Sequence, residues 1–467
     1  MLEYFDTYFE SPTEALTVAL QNNKVLAPNK QVEARQICYY DGEKIMHTPA
    51  NCIHVPFESF IEYFTNTKNR FPSEFKTSQN IQAKIKIVEK NIANKIEKLK
   101  SAIKKLQPNF HDKKLRIFAF ACRETVLIKH MIKSILEAAD TLGYETFVHT
   151  QSDDLESCSQ RFYLEALYNV NPHITVNINH LNNDFLNENI YNIVWFQDYM
   201  PILIDDKKVI LRNRDKVLYL TNDMKYVLDK KGIDADYQPF CINNKIFKKR
   251  NYIERKNKII VIGSSYKSDF DKIENTIKYK VSKEIFQSYI SIGYTSRINF
   301  KHFEVLYAIS YYDLSYIYAY VERDLLLQYI LEMNLDIEIE LYGRNWNYED
   351  IFKKYYKGPL KYGEDISKAY NSAKYTLVLG EYVLQQRTLE AAASGTIPLV
   401  FDVRADEKNS DGKCFKESLE FFKVPNELRT ILKTNNKKDL DCIVNSNSYE
   451  NFIESNINKV LAQDAIL

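Results

Sequence analysis

The sequence predicts an α/β protein made of two tandem Rossmann-like domains facing a cleft, preceded by a mainly helical accessory region. Three observations predict it. Short apolar runs alternate with helical stretches twice over, in 111–245 and again in 259–467, the pattern of parallel sheets with crossover helices. A basic, polar stretch at 243–258 (NNKIFKKRNYIERKNK) separates the two series and reads as a linker. The length, 467 residues, corresponds to roughly three domains at about 150 residues each.

Composition narrows the function classes. Hydrophobic residues make up 45% and charged residues 27%, close to the globular average, so several cores can be buried. The 63 Lys+Arg nearly cancel the 62 Asp+Glu, which leaves no overall field for nucleic acid or an anionic membrane. No run approaches the roughly 18 apolar residues of a transmembrane segment, and MLEYFDTYFESPTEALT lacks the basic start and apolar run of a leader. The expectation is a cytoplasmic protein. The 7 cysteines are scattered without a CxxC pair, and the 8 histidines form no HExxH. Reduced thiols and no metal site are expected.

Taken in order, residues 1 to about 76 show no strong period, and 1–110 as a whole is read as an accessory region. From Ile81 the apolar residues recur in steps of four and three (81, 85, 88, 92, 96, 99, 103, 106), which puts one stripe on a helix over 81–106. Lysines cover its other faces. That helix suits packing within the fold, a coiled-coil arm making a homodimer, or a basic surface for an acidic partner. Packing is preferred, since an ordinary edge helix carries the same pattern. Pro108 stops it.

Strand 115–121 (LRIFAFA), helix 131–142 closed by Gly143, and strand 145–149 (ETFVH) form one βαβ unit. Strands follow at 173–178, 193–196 and 217–220. The second series opens with 259–262 (IIVI) into Gly263-Ser264-Ser265, runs through a long helical stretch, and returns at 337–341 (IEIEL) into Gly343. Strands at 375–379 and 397–401 flank a helix containing Glu390, and an amphipathic helix over about 448–462 closes the chain. Ligands of open α/β sheets bind at the carboxyl ends of the strands, so the residues at those ends are the candidates.

The most informative stretch is 380–398 (GEYVLQQRTLEAAASGTIP). Arg387 and Glu390 lie three apart on one helix face, where a cation can meet a diphosphate and a carboxylate can accept both hydroxyls of a ribose. The same spacing also suits a plain surface ion pair. RTLEAAASGTIPLV closely resembles the donor-binding helix of GT-B glycosyltransferases. Leu341-Tyr342-Gly343-Arg344-Asn345-Trp346, the Gly363–Ile366 segment with Ala369–Lys374, Ile262-Gly263-Ser264-Ser265-Tyr266, and Val194-Trp195-Phe196-Gln197-Asp198-Tyr199-Met200-Pro201 resemble further blocks of the CgeB-like (spore-protein-type) branch, within the family 1-4-like glycosyltransferases. The similarity covers about 115–462 and leaves 1–110 unaccounted for. Glu381 departs from the E-x7-E pattern of many retaining relatives, since eight residues separate it from Glu390.

The resemblance implies a hexosyltransferase-type enzyme of glycan biosynthesis or protein glycosylation. Its donor would be a UDP- or GDP-linked sugar, its acceptor a glycan, protein or lipid, and it would need no metal or other cofactor. It further implies that Glu390 binds the ribose, Arg387 the diphosphate, and the amides near Gly263, Ser264, Ser265 and the start of the 380s helix the phosphates, with Thr388 also among the donor-binding residues. Gly343, Arg344 and Trp346 would hold the base, although Trp346 serves equally as a core residue closing its turn. Asp198, at a strand end, is the candidate base for the acceptor hydroxyl, and it also suits a turn cap. Glu124 and His180 are weaker candidates for that role. A nucleotide-sugar epimerase and a non-catalytic binding or scaffold protein are the rival readings, the first disfavoured by the sparse histidines.

Overall fold

The computed structural model describes residues 5–26, 33–123, 125–205, 208–295, 300–380, 382–406, 413–434 and 436–464. The chain divides into two compact units, Met1–Asp198 with Ile210–Val217, and Tyr199–Val209 with Leu218–Leu467.

The accessory region is richer in helix than in strand, yet it is built around a small parallel sheet that no period in the sequence announces. Its strands are β1 (Thr7–Phe9), β4 (Cys38–Tyr40), β5 (Cys52–His54) and β6 (Glu74–Lys76), in the order β5-β4-β1-β6. A short antiparallel pair, β2 (Val25–Leu26) and β3 (Glu33–Ala34), lies between β1 and β4 in the chain. Helix α1 (Pro12–Gln21) starts with proline in its first turn and the Ser11 hydroxyl accepting from the Glu14 N–H. Tyr8, Tyr39, Phe60 and Phe64 form an aromatic core under the sheet with α2 (Phe60–Asn66).

Helix α3 (Gln82–Ile103) uses its stripe inside the chain. Ile85 and Val88 pack into the aromatic core of the small sheet, while Ile96, Leu99 and Ile103 join Phe118, Tyr163, Leu164 and Phe185 further on. The stripe that would have seamed a homodimer is thus already covered.

The second sheet has the order β12-β11-β10-β9-β7-β8. Its strands are β7 (Arg116–Ala121), β8 (Glu145–Thr150), β9 (Ile174–Ile178), β10 (Tyr191–Trp195), β11 (Asp215–Tyr219) and β12 (Ala235–Tyr237). Their crossovers are α4 (Val126–Thr141), α5 (Gln160–Val170), the short α6 (Pro201–Ile204) and α7 (Asn222–Lys230). Gly143 takes φ +96° where α4 ends, the left-handed closure its position predicts.

The third sheet is parallel throughout, in the order β15-β14-β13-β16-β17-β18. Strand β13 (Lys256–Ile262) begins inside the stretch read as a linker, because Lys256 already pairs with Ala373. Helices α8 (Lys267–Asp271), α9 (Lys278–Ser291), α10 (Phe300–Tyr307) and α11 (Tyr311–Tyr320) follow, then a π turn (Val321–Leu325) and α12 (Leu326–Glu332). Strand β14 (Glu338–Tyr342), α13 (Asp350–Tyr355), β15 (Tyr356–Gly358), α14 (Glu364–Asn371), β16 (Ala373–Val378), α15 (Gln386–Ala393), β17 (Ile397–Phe401) and β18 (Glu420–Phe422) complete it. Chain order reverses between β13 and β16, so the crevice beyond their carboxyl ends is the topological switch point where such sheets take ligands. The closing helix is interrupted by a π turn at Glu454–Asn458. Among the described residues no helix is long and apolar enough to cross a membrane.

Candidate functional site

Two glycine turns leave adjacent strands side by side, since Ile262 at the end of β13 pairs with Tyr342 at the end of β14. Gly343 has φ +138°, and a Cβ there would stand 2.0 Å from the Gly263 carbonyl oxygen. Only glycine fits. The turns are then stitched together: Gly263 N–H donates to the Tyr342 carbonyl (3.0 Å), Ser265 N–H to the Arg344 carbonyl (3.0 Å), and Arg344 N–H to the Ser264 hydroxyl (3.2 Å).

Of the two roles open to Trp346, the structure favours the core residue that closes its turn. It is 0% exposed, its indole N–H donates to the Gly263 carbonyl at 2.6 Å, and its ring packs on Phe352 at 4.9 Å. A ring enclosed in this way anchors the turn and is not free to hold a base. The Ser265 hydroxyl is engaged with buried Asp324 and accepts from the Lys267 N–H. Thr388 is also corrected: its buried hydroxyl donates to the Val383 carbonyl at 2.8 Å and secures the entry to α15, which leaves no donor for a phosphate.

Arg387, in the first turn of α15, reaches across to the end of β13. Its guanidinium donates to the Ile262 carbonyl at 3.3 Å, and a Cβ on Gly263 would meet the same nitrogen at 2.7 Å. Gly263 is therefore the gap through which the arginine approaches the strand end. A second guanidinium converges there. Arg323, on the π turn, lies over the Tyr266 ring at 4.4 Å and donates to the Ser264 carbonyl at 3.1 Å. Its Cζ would be 3.7 Å from that same Cβ, and its Nε is buried without a partner.

Among the described residues neither guanidinium joins an ion pair. Burial, followed by the Arg323 charge, brings Arg387 down to about 10, so it stays protonated at neutral pH. Each guanidinium feels a carboxylate, Asp324 for Arg323 and Glu390 for Arg387, but is in no ion pair with it, and two like charges held together in this way suit an anion. The sequence reading missed Arg323. Val-Glu-Arg-Asp reads as an ordinary charged helix face, and only the fold carries it over Gly263.

One turn further on, Glu390 is 4% exposed. Burial raises its carboxyl to about 7, against the opposing effect of hydrogen bonds from Tyr362 and Gln386. Its Oε1 has no partner, and neither does the buried hydroxyl of nearby Tyr370, whose own pKa is pushed up by burial and then by Glu390. Buried polar atoms left unsatisfied are rare enough to call for a cause, and a bound polar ligand is one. Gln385 caps α15 without a side-chain hydrogen bond, which leaves the positive helix end to a ligand.

Asp198 belongs to the other compact unit. It is exposed, three residues beyond β10, with Oδ2 accepting from the Asn179 side chain at 2.6 Å. Desolvation raises its carboxyl above the usual range. It does not cap α6, whose N-cap is Met200. His180, beside Asn179 in the chain, is lowered by desolvation. Glu124 and Glu381 lie outside the described residues.

Among the described residues Glu417, Asp439 and Cys442 stand close enough to suggest a metal ligand set. Cys38, Cys52, Cys122, Cys158 and Cys241 are free as expected, whereas Cys442 is disulfide-bonded and its sulfur is not a free thiolate ligand.

Comparison with known proteins bears on the second unit above all. Residues 323–448 match the family model described as "Glycosyl transferase-like". No curated protein matches the chain in sequence. Among solved structures, the chain resembles AviGT4, a glycosyltransferase involved in avilamycin A biosynthesis, at 11% identity over 74% of this chain and 96% of that one, with a TM-score of 0.46. A glycosyltransferase from Rickettsia africae ESF-5 matches at 10% identity over 74% and 97%, TM-score 0.45. TarM matches at 12% identity over 61% and 54%, TM-score 0.34. The chain itself carries two six-stranded sheets of Rossmann-like, doubly wound form. Arg323, Gly343, Arg344, Arg387 and Glu390 all lie within the stretch that matches this family model.

Proposed function

We propose that the protein transfers a sugar from a UDP- or GDP-linked donor to a hydroxyl of a glycan, protein or lipid acceptor, in the cytoplasm and without a metal ion. The observation that carries the proposal is the pair of guanidiniums, Arg323 and Arg387, in no ion pair among the described residues and converging on Gly263 one helical turn from a buried carboxylate whose Oε1 has no hydrogen-bond partner among them. Glu390 Oε1 is suited to accept from the ribose, and ionisation of Glu390 strengthens that bond.

In the transfer, the oxygen of the acceptor hydroxyl forms a bond to the anomeric carbon and its proton passes to the Asp198 carboxylate. The bond from the anomeric carbon to the diphosphate oxygen breaks, and its electron pair leaves with the nucleoside diphosphate. That charge grows where Arg323, Arg387 and the start of α15 supply positive potential, the role a divalent cation fills in other phosphate sites. The test is release of nucleoside diphosphate from UDP-glucose and GDP-mannose in EDTA, with the sugar product identified. Release that survives chelation supports the reading. Conversion of the donor to an epimer, or a strict need for added Mg²⁺ or Mn²⁺, would contradict it.

A further inference from the structure

The end of β10 is held by one side chain. Asn179, the residue after β9, takes the left-handed conformation (φ 63°) and is 5% exposed. Its N–H donates to the Trp195 carbonyl at 3.0 Å. Its side-chain oxygen accepts from the N–H groups of Gln197 (2.7 Å) and Asp198 (3.1 Å), while Nδ2 donates to Asp198 Oδ2 at 2.6 Å. A single amide therefore fixes the backbone of Asp198 and the orientation of its carboxylate together.

Few residues could do this. An aspartate in place of Asn179 could accept from both amides but would repel Asp198, and a glycine would keep the backbone conformation while making none of the three bonds. Asparagine combines an acceptor, a donor and tolerance of the left-handed region. Among the described residues Oδ1 of Asp198 has no hydrogen-bond partner.

We infer that Asn179 is the positioning residue of the acceptor base: by occupying Oδ2 and both neighbouring amides, it leaves Oδ1 of Asp198 as the oxygen that takes the proton from the acceptor hydroxyl. The inference rests on the reading of Asp198 as that base. Although Asp198 as a residue is exposed, neighbouring protein partly desolvates its carboxyl and raises it, the Asn179 hydrogen bond opposes this, and among the described residues no charged group adds to these two influences. Loss of the donor leaves that partial desolvation unopposed, so the carboxylate becomes more basic and protonates at higher pH.

The experiment uses the full chain. The Asp198 carboxyl is titrated by infrared difference spectroscopy of wild type minus Asp198→Asn, and the same is done in Asn179→Asp and Asn179→Gly backgrounds, with UDP release from UDP-glucose followed over the same pH range. The expected result is an upward shift of the midpoint in both variants, and a matching upward shift in the acidic limb of release. Release at pH 7 should fall about 10-fold or more, a share of what general-base catalysis contributes, and UDP affinity should be unchanged. Should Asn179→Asp fail to fold, Asn179→Gly keeps the backbone conformation and decides the matter. A midpoint unmoved by either variant overturns the inference, even if Asp198→Asn still abolishes release. Undiminished release by Asp198→Asn would instead overturn the base reading itself.

Discussion

Glu390 is the residue on which ligand binding and stability pull in opposite directions. Burial pushes its carboxyl up from an ordinary 4.5 to about 7 in the folded chain. The folded state thus holds the proton more tightly than the unfolded state. Stability is highest below about pH 4.5, falls as pH rises towards 7, and levels off above, a change of about 3 kcal/mol from this group. Glu390→Gln removes the titration. Its thermal unfolding should lose that slope and exceed wild type at pH 8, while its affinity for UDP or GDP falls about 10- to 100-fold through loss of a charge-assisted bond. Calorimetric scans at pH 5 and 8 check the first part and titration calorimetry the second. Arg323→Ala and Arg387→Ala should each weaken nucleoside diphosphate binding by about 10-fold or more while leaving uridine or guanosine binding within about 2-fold, since the lost contacts are to phosphate. Arg387 and Glu390 were legible because their helix sits between two strands and a small-residue run. Arg323 was not, because nothing in its local sequence reports the glycine it faces.

At the scale of elements, the paired turns after β13 and β14 depend on Trp346. Trp346→Phe keeps most of the packing but leaves the Gly263 carbonyl without its indole donor, and should cost about 1 to 3 kcal/mol in stability, with nucleotide affinity changed less than by loss of either arginine. Denaturant unfolding of the two proteins measures it. Helix α3 acts as a beam between two cores. Ile103→Ala should cost about 2 to 5 kcal/mol, whereas Lys90→Ala on the exposed face should stay within about 0.5 kcal/mol. The α3 stripe was readable from spacing alone, but its destination was not: the same period serves a coiled coil and a buried face, and the choice lies in Tyr8, Phe60 and Tyr163 far off in sequence. Strand β17 was readable to the residue because burial on both faces yields an unbroken apolar run, IPLVF. The three-residue strands β1, β4, β5 and β6 were invisible, being too short to show a period of two.

At the scale of the whole molecule, two doubly wound sheets divide the work proposed for them. The third sheet supplies cations, a helix start and a buried carboxylate at its switch point, which suits an activated diphosphate. The second supplies a carboxylate whose orientation one asparagine controls. This split was legible in outline because alternating strands and helices recur twice in the sequence. The small N-terminal sheet, with its own aromatic core, was beyond such reading. The most direct measurement is the affinity of the full chain for UDP and GDP in EDTA, compared with Arg323→Ala, Arg387→Ala and Glu390→Ala. Binding by wild type that drops about 10-fold or more in all three variants is the predicted result. Absence of binding to both nucleotides, or binding that the three substitutions leave intact, would contradict the account.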